Sequence, residues 1–147
     1  ALTALLGTTP VLRASDVALV GVRSLDGEER RLLHESGIRV FSMHDIDRRG
    51  MAAVMEEAIL HVTTTTAGFH LSFDLDVLDP REAPGVGTPV LGGLTYREAH
   101  LAMEIVAASR HLVGLDLVEV NPILDVQNAT AALAVEFALS ALGQTIY

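Results

Sequence analysis

The sequence contains no cysteine, which excludes disulfide bonds and thiolate metal ligands and suits a reducing, cytoplasmic location. Basic residues are scarce: ten Lys and Arg stand against nineteen Asp and Glu, giving a formal net charge of −9. No basic stripe runs along the chain, so we do not expect a nucleic-acid partner. No apolar run approaches the roughly 18 residues that a membrane span needs, so we expect no membrane association.

Apolar residues, in contrast, are abundant. Half of the 147 residues are hydrophobic, enough for a sizeable core in one domain. Apolar runs typical of buried strands alternate with segments of helical periodicity. Strands are predicted at 17–22, 38–43, 69–76 and 112–120, and helices at 26–36, 45–62, 95–111 and 128–143. Strands joined by helices imply parallel crossovers, so we predict an α/β fold of three layers, a mostly parallel sheet covered by helices on both faces.

Two aspartates at the end of the third predicted strand are the clearest functional signal. Asp74 and Asp76 are two residues apart in S-F-D-L-D-V-L-D-P (72–80), so a strand would place both carboxylates on one face. Adjacent carboxylates repel each other unless a proton or a cation lies between them, and oxygen ligands favour hard divalent cations such as Mg²⁺ or Mn²⁺. One interpretation is a metal site, for which two carboxylates are too few. The other is a turn in which the aspartates cap nearby amides.

Polar residues also follow the first and fourth predicted strands, where ligands of parallel sheets bind. Glu119 lies near the end of the fourth strand and needs a partner there, either a guanidinium ligand or an internal Arg or Lys. The acidic residues of R-S-L-D-G-E-E (23–29) could hold an ammonium group. A solvated helix start, in which these acids complement the helix dipole, is the preferred interpretation. His70 precedes the aspartates, and core packing is favoured over a role in the site.

Taken together and in order, these motifs resemble arginase, of the ureohydrolase family. The match rests on three segments: S-F-D-L-D-V-L-D-P (72–80), G-V-G-T-P-V-L-G-G-L-T-Y-R-E (85–98) and V-E-V-N-P (118–122). The match continues through residues 21–30 and 41–47, so it covers essentially the whole chain. Around the asparagine and after G-T-P, the chain is more similar to arginase than to agmatinase, and bacterial arginases are the most similar. The resemblance implies an arginase-like fold. It also implies an enzyme that hydrolyses L-arginine to L-ornithine and urea by a two-manganese hydroxide mechanism. Agmatinase or another ureohydrolase is the alternative.

The resemblance also implies roles for individual residues. Asp74 and Asp76 would be ligands of the two manganese ions, at least one of them bridging. Ser24 departs from relatives that carry an aspartate at that position. Glu119 would face the substrate guanidinium, and Thr88 would line the same pocket. Asp26 and Glu29 would help to hold the substrate α-amino group.

The segment T-Y-R-E (95–98) has two predicted roles. Thr95 and Glu98 have the spacing of a capping box, in which each side chain bonds a free backbone N–H of the other residue. The resemblance adds that Arg97, Glu98 and Asp47 match positions that form salt bridges between subunits. It therefore implies a homo-oligomer, a trimer or a hexamer.

Two motifs of the family are missing from the chain. The resemblance implies that the motifs G-G-D-H and D-A-H-x-D would supply further metal ligands, and that a further histidine would transfer protons. Neither of these two motifs occurs in this sequence. They belong to the N-terminal half of an arginase. The resemblance thus implies that residues 1–147 are the C-terminal half of a single domain whose N-terminal half is absent. We expect the chain alone to be inactive; a non-catalytic assembly module is the alternative.

Overall fold

A computed structural model describes residue 7 and residues 11–145 of the chain. Over this part of the chain, four strands alternate with five α-helices in the order expected of an α/β protein. The elements are β1 (Ala18–Val22), α1 (Gly27–Ser36), β2 (Arg39–Ser42), α2 (Met43–Arg49), α3 (Met51–Thr63), β3 (Phe69–Asp74), α4 (Tyr96–Ser109), β4 (Leu112–Val118) and α5 (Ala129–Ala141). None of the helices in these ranges is long and apolar enough to cross a bilayer.

The strands form two parallel pairs instead of one continuous sheet. β1 pairs with β2 and β3 pairs with β4, both in parallel, as the helical crossovers predict. Within the described residues, β1 and β3 each have a strand partner on one side only. Residues of both strands line a single cavity of about 600 Å³. The α/β architecture with parallel strands is therefore confirmed, whereas the single sheet is interrupted between β1 and β3.

The hydrophobic core lies where α3, α4 and α5 pack on the strands. Phe73 of β3 meets Phe137 of α5 edge to face, with ring centroids 5.4 Å apart. Phe137 is fully buried, and complete burial of such a side chain contributes roughly 1.5–3 kcal/mol. Because Phe73 is anchored in this way, the next residue of the chain, Asp74, has a fixed position at the end of β3.

A glycine divides the helix that we predicted over 45–62. α2 ends at Arg49 and α3 begins at Met51, because Gly50 has φ 80° and ψ 153°, a conformation that suits glycine alone. α2 begins at Met43, before the predicted start at residue 45, so neither Asp45 nor Asp47 is its N-cap. Ser42 is the cap, and the Asp45 carboxylate accepts a hydrogen bond from the Ser42 backbone N–H at 2.8 Å.

The capping box predicted at the start of α4 is confirmed. The Thr95 hydroxyl accepts a hydrogen bond from the Glu98 N–H at 3.3 Å, and the Glu98 carboxylate accepts one from the Thr95 N–H at 2.9 Å. These two bonds satisfy backbone donors that a helix start leaves without partners. They fix the point where the long loop after β3 enters α4.

Candidate active site

Asp74 and Asp76 lie at the end of β3, but one strand does not carry them both. β3 ends at Asp74, and Asp76 belongs to a 3-10 turn formed by Leu75–Val77. The Asp74 carboxylate accepts a hydrogen bond from the Asp76 N–H at 3.1 Å, so it caps this turn. The predicted strand over both residues is therefore wrong, because the chain turns directly after Asp74. The turn interpretation is observed, and both side chains nevertheless line the same cavity.

The electrostatic surroundings of Asp74 favour a cation. Burial raises the pKa of the Asp74 carboxyl above its ordinary value of 3.8, and the nearby charges of Asp76 and Glu119 raise it further. The hydrogen bond from the Asp76 N–H acts in the opposite direction. A positive ion beside these carboxylates would relieve both the desolvation and the repulsion. Within the described residues, however, no group of three or more His, Asp or Glu side chains is placed to hold a metal ion.

Thr88 connects Asp76 to the long loop between β3 and α4. Its hydroxyl donates a hydrogen bond to the Asp76 carboxylate at 2.7 Å. The same loop is closed on itself by Asp79, whose carboxylate accepts hydrogen bonds from the Gly92 N–H at 2.8 Å and the Arg81 N–H at 3.1 Å. The structure thus brings Thr88 to the aspartates, although the two segments are separated in sequence.

Glu119 occupies an unusual backbone conformation immediately after β4. The strand ends at Val118, two residues earlier than predicted, and Glu119 has φ 66°, in the left-handed region. For a residue other than glycine, this conformation costs about 1 kcal/mol or more. A Cβ atom on Gly87 would lie 3.2 Å from Oε2 of Glu119, so the Glu119 carboxylate approaches the loop that carries Thr88.

Of the two partners expected for Glu119, the internal one is not observed. No Arg or Lys in the described part of the chain forms an ion pair with the Glu119 carboxylate. The residue is exposed, and its charge acts on Asp74. A carboxylate held in a strained conformation with no internal cation is available to a cationic ligand.

The loop that carries Glu119 is tied to the start of α5. The Asn121 N–H donates to the Gly85 carbonyl at 2.7 Å, and the Gly85 N–H donates to the buried Thr130 hydroxyl at 2.8 Å. The Asp125 carboxylate accepts hydrogen bonds from the N–H groups of Thr130 and Ala131 at 3.0 and 3.1 Å. Our sequence interpretation missed Asp125, whose position before an alanine-rich helix is the signal for a capping role.

Asp26 and Glu29 form the start of α1, as the preferred interpretation predicted. Asp26 is the N-cap and accepts hydrogen bonds from the N–H groups of Glu28 and Glu29, both at 2.8 Å. The Glu29 carboxylate accepts one from the Asp26 N–H at 3.0 Å, completing a capping box. Glu29 also lines the cavity that contains Asp74 and Asp76.

One residue next to the cavity escaped our sequence interpretation. Arg23, the first residue after β1, donates hydrogen bonds to the carbonyl oxygens of Asp76 and Val90, both at 2.7 Å. It therefore touches the turn that carries Asp76 and the loop that carries Thr88. Nothing in the local sequence pattern indicates these contacts, because they join residues more than 50 positions apart.

The arginase family model matches residues 5–143 of the chain. The chain belongs to the arginase family. It is 51% identical to the arginase of Bacillus caldovelox and to that of Brevibacillus brevis, in each case over 99% of this chain and 49% of the relative. The solved structure of the Bacillus caldovelox arginase superposes with a TM-score of 0.96, and that of a hypothetical agmatinase from Burkholderia thailandensis with a TM-score of 0.77 at 29% identity. The resemblance to arginase and the arginase-like α/β fold are both confirmed.

The chain spans about half the length of these arginase relatives, and the aligned part is their C-terminal half. The superposition covers 99% of this chain and 49% of the Bacillus caldovelox arginase chain. The described residues therefore keep the arrangement that the corresponding half has in a complete arginase fold. The cavity between β1 and β3 lies inside that arrangement.

The three residues predicted to join subunits lie on two helices of this arginase-family chain, Asp47 on α2 and the neighbours Arg97 and Glu98 on α4. Arg97 contacts Glu104 within α4 at 3.5 Å, and Glu98 is engaged in the capping box. Asp47 is exposed on α2. No hydrogen bond or ion pair joins Asp47 to Arg97 or Glu98 in the part of the chain that the structure describes. Their role between subunits stays a prediction.

The prediction that His70 packs in the core is wrong. Its side chain is 52% exposed, and Nε2 lies 2.9 Å from the Asp116 carboxylate on the neighbouring strand. Gly114 explains part of this placement, because a Cβ atom there would lie 2.5 Å from Nδ1 of the His70 ring. The ring therefore packs closely against Gly114, its partner residue on β4.

Proposed function

We propose that this chain carries the C-terminal half of an active site that hydrolyses the guanidinium group of L-arginine to L-ornithine and urea. One observation carries the proposal: Asp74, Asp76, Thr88 and Glu119 converge at the ends of β3 and β4. The Thr88 hydroxyl bonds Asp76 at 2.7 Å, and the charges of Asp76 and Glu119 both raise the pKa of Asp74. The 51% identity to bacterial arginases supports the choice of reaction.

The donor set fits part of a manganese site. Asp74 and Asp76 offer carboxylate oxygens, which suit hard divalent cations, and the raised pKa of Asp74 indicates an environment that favours a positive ion. In the complete enzyme, we propose, these two side chains are ligands of two Mn²⁺ ions. When bound, such ions act as Lewis acids that lower the pKa of water toward neutrality. The remaining ligands must come from another segment, since two carboxylates do not complete a divalent site.

The other side chains would bind and orient the substrate. The Glu119 carboxylate matches a planar guanidinium in a two-pronged fork, and the loop behind it is held by Asn121 and Gly85. Thr88 would line the same pocket, and Asp26 and Glu29 would hold the α-amino group. Held in this way, the guanidinium carbon is oriented for the addition of water. The bond from this carbon to the ornithine nitrogen then breaks, and the two protons of the water pass to that nitrogen, giving urea and ornithine.

The cavity between β1 and β3 supports the proposal that another segment completes the protein. Among residues 11–145, both strands have an unpaired edge beside this cavity, and its lining contains apolar side chains such as Leu19, Val20 and Leu71. Unpaired parallel edges beside an apolar slot are suited to one more strand. We propose that residues 1–147 form one half of a single domain and are inactive alone.

An oligomer is also part of the proposal. Arg97 and Asp47 are exposed, so each is free to meet a second copy, while Glu98 is only partly exposed because it caps α4. We propose a homo-oligomer, a trimer or a hexamer, in which Arg97, Glu98 and Asp47 form ion pairs between subunits. Opposite charges on these residues are compatible with such contacts.

The test joins this chain to the N-terminal half of the Bacillus caldovelox arginase in one polypeptide and measures urea release with added Mn²⁺. Arginine should be hydrolysed and agmatine much less, and Glu119→Gln should lower kcat/KM by about 100-fold or more, because the charged fork is lost. Glu56→Gln, a change of the same chemistry at an exposed site on α3, serves as the matched control. Equal rates with agmatine, or full activity in Glu119→Gln, would contradict the assignment.

A further inference from the structure

The guanidinium group of Arg23 lies against backbone carbonyls in two parts of the connection between β3 and α4. One part is the turn around Asp76, and the other is the loop around Val90. Nη2 donates to the carbonyls of Asp76 and Val90, both at 2.7 Å, and approaches that of Leu78 at 3.2 Å. Nη1 donates to Val77 and Nε to Val90, both at 3.2 Å. In the described part of the chain, every hydrogen bond of this guanidinium goes to a carbonyl oxygen. The side chain thus acts as a donor fork for backbone.

Of the two parts of the connection that Arg23 joins, one carries Asp76 and the other carries Thr88. Asp76 is itself bonded through its carbonyl, and Val90 follows Thr88 by two residues. The Thr88 hydroxyl donates to the Asp76 carboxylate at 2.7 Å. Arg23 therefore holds the backbone on both sides of the Thr88–Asp76 hydrogen bond.

The backbone before Arg23 makes this reach possible. Gly21 has φ +85°, and the pairing of β1 with β2 shifts between Val20 and Val22, as in a β-bulge. A Cβ atom on Gly21 would lie 2.5 Å from Cγ2 of Val77, so a larger residue would clash with the turn that carries Asp76. The end of β1 is therefore pressed against that turn before Arg23 extends across it.

We infer that Arg23 is a positioning residue that fixes Asp76 and Thr88 relative to each other and to the end of β1. The identity of the site rests on the proposed function, whereas the positioning rests on the hydrogen bonds alone. Lysine cannot replace arginine in this role, because an ammonium group is a single donor point and lacks the planar fork that spans several carbonyls. Arg23→Lys therefore keeps the positive charge and removes the geometry.

The experiment compares the chain with its Arg23→Lys variant by amide hydrogen exchange and by Mn²⁺ binding. The amides of Asp79 and Leu94, which bond across the two loops, report on their order. We expect their exchange to become about tenfold faster in Arg23→Lys, with the amides of α4 unchanged. Titration with MnCl₂ of the protein joined to the N-terminal half of the Bacillus caldovelox arginase, followed by electron paramagnetic resonance, should show an Mn²⁺ affinity weaker by roughly three- to tenfold in Arg23→Lys.

Two further variants make the outcome decisive. Arg31→Lys, at an exposed arginine on α1, should leave both measurements unchanged, whereas Arg23→Gln should behave like Arg23→Lys. Exchange and Mn²⁺ affinity within twofold of the parent chain in both Arg23 variants would overturn the inference. So would a loss of protection throughout α4, which would make Arg23 a residue of global folding. A joined protein that binds no Mn²⁺ would count against the proposed metal site alone, and the exchange rates would still decide the role of Arg23.

Discussion

At the scale of single residues, the site is defined by carboxylates that are unfavourable where they lie. Asp74 is partly buried beside Asp76, and Glu119 adds a third negative charge close by. Glu119 also holds a left-handed backbone conformation at φ 66°. Backbone strain and raised pKa values cluster at functional sites, and here both occur at the same edge of the structure.

Replacing Asp74 by Asn should stabilise the isolated chain at neutral pH. The asparagine oxygen can still accept the hydrogen bond from the Asp76 N–H, while the charge is removed. The gain should be small, about 0.5 kcal/mol, because solvent screens a partly exposed group. Urea unfolding of Asp74→Asn measures it, with Glu56→Gln, at an exposed acidic residue on α3, as the control.

The pH dependence of this gain has a definite sign. The pKa of Asp74 in the folded chain is raised above its ordinary value of 3.8, so at pH values below 3.8 the carboxyl is mostly protonated and does not destabilise the fold. The destabilisation grows as the pH rises through the folded pKa. The gain from Asp74→Asn should therefore increase between pH 4 and pH 8. A gain that shrinks over this range would contradict the raised pKa.

Glycine at position 119 should stabilise the chain and abolish its contribution to catalysis. Glycine adopts φ 66° without strain, so Glu119→Gly should raise the free energy of unfolding by roughly 1 kcal/mol. Arg110→Gly is a matched control, because Arg110 is a left-handed helix C-cap at φ 58°. Both variants should be more stable, but only Glu119→Gly should lose urea release in the joined protein. Loss of activity in Arg110→Gly as well would weaken the specific role of Glu119.

The grouping of the candidate site residues was predictable where a short motif carries them, whereas their roles stay predictions. The family motifs led to Asp74, Asp76, Thr88 and Glu119, and the structure brings all four to one edge. Arg23 was not predictable, because its bonds depend on how closely β1 approaches a distant turn. That approach requires Gly21, whose need for glycine becomes visible only beside Val77.

At the scale of secondary-structure elements, helix starts that carry a local acidic or capping motif were easier to predict than strand ends. The capping box at Thr95 was predicted from spacing alone, and the acidic residues of segment 23–29 indicated the start of α1. Gly50 was overlooked because apolar periodicity continues on both sides of it, and only its backbone angles separate α2 from α3. β3 ends at Asp74 because the Asp74 side chain caps the turn that follows.

The capping box of α4 should have a measurable effect on stability. Thr95→Ala removes the acceptor for the Glu98 N–H and should cost about 1 kcal/mol in the free energy of unfolding. Thr95→Ser keeps the hydroxyl and should cost a fraction of that. Urea denaturation of both variants separates the cap from the packing of the threonine methyl group. Equal losses in the two variants would mean that the hydroxyl contributes little.

At the scale of the whole molecule, the described residues form two parallel strand pairs whose open edges border a shared cavity. Composition and periodicity predicted the parallel α/β architecture, because buried strands and amphipathic helices leave clear patterns. They could not predict the break between β1 and β3, since each strand has the pattern of a strand flanked on both sides. The break fits a chain that spans about half of its relatives.

Open strand edges should make the isolated chain associate. Unpaired edges beside apolar surface favour pairing with another copy, so we expect concentration-dependent association or aggregation in light scattering. Addition of the N-terminal half of the Bacillus caldovelox arginase should suppress this association by occupying the cavity. An isolated chain that stays monomeric and melts cooperatively would argue against an open edge.

Urea release from arginine by the isolated chain, with and without the separately prepared N-terminal half of the Bacillus caldovelox arginase, tests the central claim most directly. With Mn²⁺ present, each part alone should show no release above background, and the mixture should release urea in proportion to the complex formed. Release by the isolated chain at more than a trace rate would contradict the claim that it carries half of the site, as would an inactive mixture in which the complex is demonstrably formed.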